Sequence, residues 1–447
     1  MLTKELNEKL TQVGPGTPGG ELLRRYWHPI AGSAELDERP TKRVRLLGED
    51  LVLYRDRSGK PGLIAEACPH RRISMYYGIP EPDGIRCPYH GWAFDHDGNC
   101  TEQPAEPVDS TFKDRVQTPS YPVQEMGGLF FAYLGPAPAP ILPRYDLFVC
   151  DDAVRQVGFT VIPCNWVQAM ENSLDATHVE WLHGYYTNFL NERAAAATGE
   201  PFCPRPHRHH VRIGFDRFEH GMIKRRIEEG GSEEDDDWKI GHPVVFPCIL
   251  KTGAVAASSF QIRVPMDDTH TLHLLYRVYR PGVAVPREVQ EKVTVHQLPW
   301  QEENGDAIVD FTLAQDMMAW VTQGEIANRP LEKLGASDTG IIMFRQMLEE
   351  QIDQVARGEE PMEVYRDPSQ ASFVELPQER RKHGTEHWGR PSATPRDGLT
   401  RHMPTPPVLF DLFRQAEELE AAGQELHRRH DSTLDAGLSR REVALKK

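Results

Sequence analysis

The sequence predicts an α+β protein with an N-terminal all-β domain and a C-terminal domain in which helices pack on an antiparallel sheet. Three observations lead to this fold class. Short strand-like segments separated by turn signals fill residues 26–133. A proline-rich connection, GPAPAPILPR at 135–144, follows and cannot continue a strand or helix for long. Beyond it, helical and strand patterns are mixed in one long region.

The N-terminal part is predicted to contain a short lead-in and the β domain. Residues 1–25 show helical periodicity around Leu6 and Leu10, which the stretch GPGTPGG interrupts. Residues 26–140 form the predicted β domain, with strands at RVRLLG, LVLYRD, GLIAEA and GLFFAYL and turns at DRSGKPG and DHDGN. The domain boundary is expected in the proline-rich connection.

The C-terminal part is predicted to hold the mixed domain and an extension. Residues 141–360 contain a helix at NWVQAMENSLDATHVEWLH, strands at HHVRIGF, SSFQIRVPM and TLHLLYRVYR, and a long helix at ASDTGIIMFRQMLEEQIDQVA. Residues 361–447 are polar and proline-rich until the amphipathic pattern LFDLFRQAEELEAAGQELHRRH. This extension is expected to wrap a surface of the chain or of a neighbouring subunit.

Composition limits the class of protein. The 447 residues are enough for two or three domains. A net charge of −16 without a dense basic run argues against a nucleic-acid partner. Seven cysteines in a chain of this length fit reduced thiols better than a disulfide framework. The polar start MLTKELNEKL and the lack of an apolar run of about 18 residues predict a cytoplasmic protein that does not enter a membrane.

Two cysteines and two histidines form the strongest motif, within residues 67–94. Cys68 and His70 are spaced as C-x-H, and Cys87 and His90 as C-x-x-H. A structural zinc site is an alternative, but zinc fingers usually separate each ligand pair by two or more residues. The pattern fits a Rieske [2Fe–2S] cluster better, because in that cluster two histidines replace two cysteines on one iron.

A second candidate metal site lies in the segment ENSLDATHVEWLH. On an α-helix Glu171, Asp175 and His178 lie on one face, whereas His183 is turned away by about 140°. The two histidines can therefore share a metal only if the helix bends or ends, and Gly184 predicts an ending after His183. Asp175, one turn before His178, suits holding the imidazole better than holding the metal. The alternative is a buried amphipathic helix whose histidines are satisfied internally.

Two histidines and one carboxylate leave positions open on iron(II), as dioxygen activation requires. The third ligand that we predict is Asp338, in the stretch GASDTG at the start of the long helix. Spacing does not exclude Asp310, Asp316 or Asp353 as alternatives.

With both motifs, the chain resembles the oxygenase component of the Rieske non-heme iron aromatic-ring oxygenases over roughly residues 10–355. The resemblance is carried by CPHR, CPYHGW, ENSLDATH, VPMDDTHT and LGASDTG. The start VGPGTPGGELLRRYWHP is similar to the single-chain subgroup without a β subunit, which includes phthalate 4,5-dioxygenase and aromatic-acid O-demethylases.

The resemblance implies a Rieske domain followed by a helix-grip catalytic domain, whose curved antiparallel sheet covers the iron. Each chain would hold one [2Fe–2S] cluster and one mononuclear Fe(II). It also implies a cyclic trimer, single or stacked, in which the cluster of one subunit faces the iron of the next. Asp175 would take a catalytic role there by linking His178 to His90 of the adjacent subunit.

The resemblance further implies that O2 is one substrate and that electrons come from an NADH-dependent reductase or a ferredoxin. The sequence carries no flavin or nicotinamide fingerprint, so the reductase is expected to be a separate protein. In this family, oxidation of a ring gives a cis-diol, whereas attack on a methoxy carbon releases formaldehyde.

The substrate is predicted to be an aromatic acid. Arg263 and Lys251 are candidates to bind its carboxylate, and the alternative is that both are surface cations on half-exposed strands. Family likeness favours O-demethylation of a methoxylated, lignin-derived acid such as 5,5′-dehydrodivanillate. Three other hypotheses are cis-dihydroxylation of a phthalate-like acid, a Rieske electron carrier without oxygenase activity, and a zinc-clipped binding protein.

Overall fold

The computed structural model of the chain describes residues 2–199, 201–202, 204, 208–370, 373–380, 399–426 and 440–444. The helices are α1 Lys4–Thr11, α2 Pro18–Leu23, α3 Glu35–Glu38, α4 Asp146–Val149, α5 Trp166–Ser173, α6 Thr187–Thr198, α7 Asp236–Lys239, α8 Arg287–Glu291, α9 Thr312–Val321, α10 Thr339–Ala356, α11 Leu399–His402 and α12 Val408–Ala421. A π-helix, Val179–Tyr186, joins α5 to α6.

The first eleven strands belong to the N-terminal half: β1 Trp27–Gly32, β2 Thr41–Leu46, β3 Glu49–Arg55, β4 Pro61–Ala65, β5 Ile79–Glu81, β6 Gly84–Arg86, β7 Ala93–Phe94, β8 Cys100–Glu102, β9 Ser120–Tyr121, β10 Val123–Met126 and β11 Leu129–Tyr133. The other nine are β12 Val154–Ile162, β13 His210–Phe218, β14 Gly221–Glu228, β15 His242–Val245, β16 Ile249–Ala254, β17 Ala257–Pro265, β18 Thr271–Tyr279, β19 Thr294–Gln297 and β20 Arg440–Ala444.

The N-terminal half is built from three small antiparallel sheets. Their strand orders are β2-β3-β4-β9, β5-β6-β7-β8 and β1-β11-β10. A buried cluster that includes Val52, Ile64, Cys68, Cys87 and Trp92 lies between the first two sheets. The predicted all-β character of this half is confirmed.

The C-terminal half is organised by one nine-stranded sheet. Its order is β19-β12-β18-β17-β16-β15-β14-β13-β20, and every neighbouring pair is antiparallel except β12 and β19. Helix α10 lies against this sheet so closely that a Cβ on Gly340 would sit 2.3 Å from the Phe215 ring. A long helix on an antiparallel-rich sheet confirms the predicted α+β class.

The lead-in forms two helices, α1 and α2, which are separated by an interruption at residues 12–17. Thr3 caps α1 by accepting from the Leu6 N–H, and Thr17 caps α2 by accepting from the Gly20 N–H. Lys9 of α1 forms an ion pair of 2.6 Å with Asp353 of α10. The lead-in is therefore attached to the C-terminal half of the chain.

The C-terminal extension folds back on the same chain where it is described. Leu376 is fully buried, and α12 packs its apolar face, which includes Leu409, Leu412 and Phe413, on the sheet residues Val154 and Tyr279. The predicted helix continued to His430, but α12 ends at Ala421, and residues 427–430 lie outside the described residues. Among the described helices, none combines the length and the apolar character needed to cross a membrane.

A buried ion-pair network holds α5, the helix that leads into the second candidate metal site. Glu171 accepts two hydrogen bonds of 2.9 Å from Arg329 and one of 2.6 Å from Arg345. Burial alone would raise the pKa of Glu171, but the two arginines outweigh it and lower the pKa. The carboxylate thus stays charged in the core and ties α5 to the chain around residue 329 and to α10.

We expect Glu171→Gln to lower the free energy of unfolding by about 3–5 kcal/mol, because two buried guanidinium groups lose their shared counter-charge. Urea unfolding followed by circular dichroism measures the change. Glu350→Gln is the matched control: Glu350 pairs with Arg217 on the exposed surface, where such a pair contributes about 0–1 kcal/mol. Equal losses in the two variants would contradict the role of the network.

Candidate cluster site and metal site

The four residues of the first motif lie in two loops of similar shape. Cys68 follows β4, and its N–H donates to the Ile73 carbonyl at 2.9 Å; Cys87 follows β6, and its N–H donates to the Trp92 carbonyl at 2.8 Å. Each loop therefore turns back on itself with the cysteine at its base. Both cysteines are buried, so the two sulfur atoms face the interior from both loops.

The second loop depends on a glycine and an arginine. Gly91 adopts φ +77°, in the left-handed region that favours glycine. Arg86 donates to the Gly91 carbonyl at 2.6 Å and pairs with Glu81 and Glu102, both also at 2.6 Å. The loop is thus held from the outside by a side chain of the preceding strand.

The two histidines lie together at the outer side of the loops. The ring centroids of His70 and His90 are 4.6 Å apart, and His70 stacks on the buried Trp92 at 4.3 Å with an interplanar angle of 4°. His70 is exposed, whereas both cysteines are buried. Two inner sulfurs and two outer imidazoles are the donor set of a Rieske cluster, with cysteines on one iron and histidines on the other.

The cysteine pair also fits a group that binds two thiolates. Burial and the neighbouring Cys87 thiol raise the pKa of Cys68 to about 11. Without a bound cation the Cys68 thiol would stay protonated near neutral pH, and binding of a metal is what deprotonates such a thiol. Pro69 and Pro88 follow the cysteines directly and restrict both loops.

The second site begins where α5 ends. Past Ser173, the Oδ1 atom of Asp175 accepts from the Thr177 N–H at 2.8 Å and from the His178 N–H at 3.2 Å. This turn closes on the aspartate side chain in the way typical of Asp before a new helix. It redirects the chain, so that His178 becomes the N-cap residue of the π-helix.

The π-helix brings His178 and His183 onto one face. In a π-helix the hydrogen bonds join residues five apart, so two such residues are turned away from each other much less than on an α-helix. The two imidazole centroids are accordingly 5.2 Å apart. The predicted ending after His183 is wrong, because the helix passes through Gly184 and continues into α6. The wider turn of the π-helix, and not a bend or an end of the helix, brings the two histidines together.

The carboxylate beside the histidines comes from α9. Asp316 Oδ1 lies 3.1 Å from His183 Nε2 and 3.6 Å from His178 Nε2. Each of the three residues offers one possible ligand atom, and these three atoms lie within 4.8 Å of one another. Two imidazoles and one carboxylate with open positions are the donor set of non-heme iron(II) oxygenases, so these residues fit the metal.

The structure brings Asp316, and not the predicted ligand Asp338, beside the two histidines. Asp338 Oδ2 accepts from the N–H of Gly335 at 2.6 Å and closes the turn before α10, so its carboxylate is used locally. The remaining alternatives form ion pairs elsewhere: Asp310 with Arg401, and Asp353 with Lys9. The signal that was missed is a buried aspartate in the apolar stretch TLAQDMMAWV of α9.

Gln315 is a further residue at this site that sequence reasoning did not identify. Its Oε1 atom lies 2.9 Å from His183 Nδ1, and its Nε2 atom donates to Thr187 Oγ1 at 3.0 Å and to the Val309 carbonyl at 2.8 Å. Because the amide nitrogen is engaged in this way, the amide oxygen accepts from His183 Nδ1–H. That tautomer leaves Nε2 free to bind a metal.

Asp175 lies at the rim of the site. Its Oδ2 atom is 3.7 Å from His178 Nδ1, and its side chain is partly exposed. Burial would raise the pKa of Asp175, but His178, Thr177 and Lys224 outweigh it and lower the pKa. A charged, partly exposed carboxylate thus lies beside the His178 ring.

Of the two predicted substrate-binding cations, Lys251 has a structural role. Its Nζ donates to Asp146 Oδ2 at 2.5 Å and to the Leu376 carbonyl at 2.9 Å, and the side chain is almost fully buried. The prediction that Lys251 faces a substrate is therefore wrong, because its charge is already balanced inside the protein. Arg263 is also buried, but it lies in the same region as Asp316.

Both halves of the chain match families of known proteins. A family model for the Rieske [2Fe-2S] domain matches residues 26–122, and a model described as LigXa C-terminal domain like matches residues 300–374. The 5,5'-dehydrodivanillate O-demethylase oxygenase subunit of Sphingobium sp. (strain NBRC 103272 / SYK-6) is 42% identical over 384 residues, which cover 84% of this chain and 87% of that protein.

A second relative and a solved structure extend the comparison. The phthalate 4,5-dioxygenase oxygenase subunit of Pseudomonas putida is 31% identical over 80% of this chain and 88% of its own length. The terminal oxygenase of carbazole 1,9a-dioxygenase from Novosphingobium sp. KA1 shares the fold with a TM-score of 0.51 and 23% identity, over 76% of this chain and 96% of that one. The chain therefore belongs to the Rieske non-heme iron oxygenases and is the oxygenase subunit of such an enzyme.

Proposed function

We propose that this oxygenase subunit O-demethylates a methoxylated aromatic acid of the kind derived from lignin, with 5,5′-dehydrodivanillate as the first candidate. One methoxyl group, one O2, two electrons and two protons would give a phenol, formaldehyde and water. The observation that carries the proposal is the 42% identity over 84% of the chain to a subunit named for that demethylation. The electrons would come from an NADH-dependent reductase, directly or through a ferredoxin.

In this proposal each centre has its own residues. Cys68, His70, Cys87 and His90 hold the [2Fe–2S] cluster. The mononuclear iron is held by His178, His183 and Asp316, and when bound it supplies the site for O2 activation. Gln315 keeps the His183 ring in the tautomer that binds metal, as its 2.9 Å contact with Nδ1 supports.

We also infer a trimer, single or stacked, in which the cluster of one subunit faces the iron of the next. Two exposed aromatic surfaces support this assembly. Trp181, Tyr185 and Phe189 are about half exposed on the helices that carry or follow the metal histidines. Tyr77 and Tyr89 are exposed at 57% and 52% around the cluster loops. Apolar surfaces of this kind mark contacts with another protein, and in the trimer they would cover each other.

The test is an assay of formaldehyde release by the full chain with its reductase, on methoxylated aromatic acids and on the same acids without the methoxyl group. We expect one formaldehyde and one O2 consumed per methoxylated acid, and none from the unmethoxylated acid. Labelled O2 placed in a ring diol would instead favour cis-dihydroxylation, the activity named for the phthalate relative. Formaldehyde from none of the acids would contradict the proposal.

A further inference from the structure

Three arginine side chains are completely enclosed in the described part of the chain: Arg225, Arg263 and Arg329. Arg225 pairs with Asp216, and Arg329 pairs with Glu171 at 2.9 Å. Arg263 donates from Nη1 and Nη2 to the carbonyl and the side-chain oxygen of Gln261, at 3.1 and 2.9 Å. Within the described residues, no carboxylate reaches ion-pair distance of Arg263, so of these three cations it is the one without a directly paired anion; the charge of Asp316 acts on it from farther away.

Arg263 is charged at neutral pH, and burying that charge destabilises the folded protein. Burial lowers the pKa of its guanidinium to about 10, which leaves it protonated at neutral pH. A cation taken out of water without an anion to balance it is strongly unfavourable. Its Nε–H also has no hydrogen-bond acceptor among the described residues. The site therefore favours an anion in direct contact with Arg263, which no described residue supplies.

Two other buried side chains beside Arg263 also lack hydrogen-bond partners among the described residues. His273 is the cross-strand partner of Arg263 on β18, and both of its ring nitrogens have no hydrogen-bond partner in the described structure. Trp320 of α9 likewise has no acceptor for its Nε1–H there. The Trp320 ring centroid lies 5.3 Å from the Arg263 guanidinium carbon and 5.4 Å from the His273 ring centroid.

The polar groups of Arg263, His273 and Trp320 that lack hydrogen-bond partners lie next to the candidate metal site. Trp320 follows Asp316 by four residues on α9, so the two side chains lie on one face, about one turn of 5.4 Å apart. The charge of Asp316 also acts on both Arg263 and His273. Buried polar groups in native proteins almost always have partners, and four such atoms in one place beside a reaction centre indicate a bound molecule.

The hydrogen-bond inventory defines that molecule. Arg263 Nε and Trp320 Nε1 can only donate, so they need acceptor oxygens. Burial lowers the pKa of His273 well below its ordinary value, and a neutral imidazole donates from one nitrogen and accepts at the other. The ligand must therefore offer an anionic group and also one O–H.

We propose that Arg263, His273 and Trp320 form the binding site for an aromatic acid that carries both a carboxylate and a free phenolic hydroxyl. The carboxylate balances Arg263 and accepts from Trp320, and the hydroxyl bonds to His273. The inference rests on the proposed function and narrows its substrate class from methoxylated acids to phenolic ones. It adds His273 and Trp320, which bind and orient the ring one helical turn from Asp316.

Equilibrium binding tests this without turnover, by calorimetry on the oxidised full chain. The probes are 4-hydroxy-3-methoxybenzoate, its methyl ester, and 3,4-dimethoxybenzoate. The parent protein should prefer the acid over the ester, and Arg263→Met should weaken acid binding about 10- to 100-fold with the ester unchanged. His273→Leu should remove the preference for the free phenol over the dimethoxy acid. Arg217→Met, at an exposed position of the same sheet, should change none of these values.

Thermal unfolding without ligand provides the control for folding. Because an unbalanced buried cation costs stability, Arg263→Met should be as stable as the parent or more stable, whereas Arg329→Met should be clearly less stable. A loss in Arg263→Met that matches Arg329→Met, or a parent protein that binds acid and ester equally, would overturn the inference. Both readouts are independent of formaldehyde release, so a failure of the demethylase proposal is recognised separately.

Discussion

Replacing Asp316 with alanine is expected to remove the mononuclear iron and leave the cluster in place. The purified parent should contain about three irons per chain, two in the [2Fe–2S] cluster and one at the second site. The variant should contain about two and keep the visible spectrum of the cluster. Mutation of a group that only supports a ligand costs about 10- to 100-fold in metal affinity or activity, so loss of a ligand should lower turnover by more than that.

Asp338→Ala is the matched control for this prediction. Asp338 closes its own turn through the Gly335 N–H, and losing such a cap costs about 0.5–2 kcal/mol of stability but no metal ligand. The control should keep three irons per chain and its turnover. Iron lost from Asp338→Ala and retained in Asp316→Ala would restore Asp338 as the ligand and refute the assignment made from the 3.1 and 3.6 Å distances.

Replacing Asp175 with asparagine is expected to slow electron transfer between the two centres without removing either of them. Asparagine keeps an oxygen for the Thr177 and His178 N–H groups that Asp175 now binds. It removes the negative charge that stands 3.7 Å from His178 Nδ1 at the rim of the site. If the carboxylate links His178 to His90 of a neighbouring subunit, turnover should fall about 10- to 100-fold with metal content unchanged.

Single-turnover stopped-flow measurements distinguish slower electron transfer between the two centres from a general loss of enzyme activity. The reduced cluster is mixed with O2 and substrate, and its reoxidation is followed by its absorbance. Asp367→Asn is the control, because Asp367 closes a similar turn by accepting from the N–H and hydroxyl of Ser369 on the exposed surface. Reoxidation of Asp175→Asn at the parent rate, or a fully active enzyme that sediments as a monomer, would refute the bridging role.

The cluster motif and the order of strands were predictable because they depend on neighbours in the chain. Cys68 and His70 are two residues apart, and Cys87 and His90 three, so each pair shares one short loop and its spacing alone restricts the metal. The predicted strands HHVRIGF, SSFQIRVPM and TLHLLYRVYR, identified from their sequence pattern, overlap β13, β17 and β18. The family was likewise confirmed, since its motifs are local stretches of sequence.

What the sequence determined by itself, then, was the pair of metal motifs, the two kinds of fold and the family. Tertiary structure decided how distant groups meet. A regular helix would have turned His183 away from His178, and only the backbone of the π-helix aligns them. Asp316 is more than 130 positions beyond both histidines, so packing of α9 against α5 selects it over Asp338. Packing also pairs Lys251 with Asp146 but gives Arg263 no carboxylate partner among the described residues. The neighbours that decide whether a buried charge is paired are not revealed by spacing in the chain.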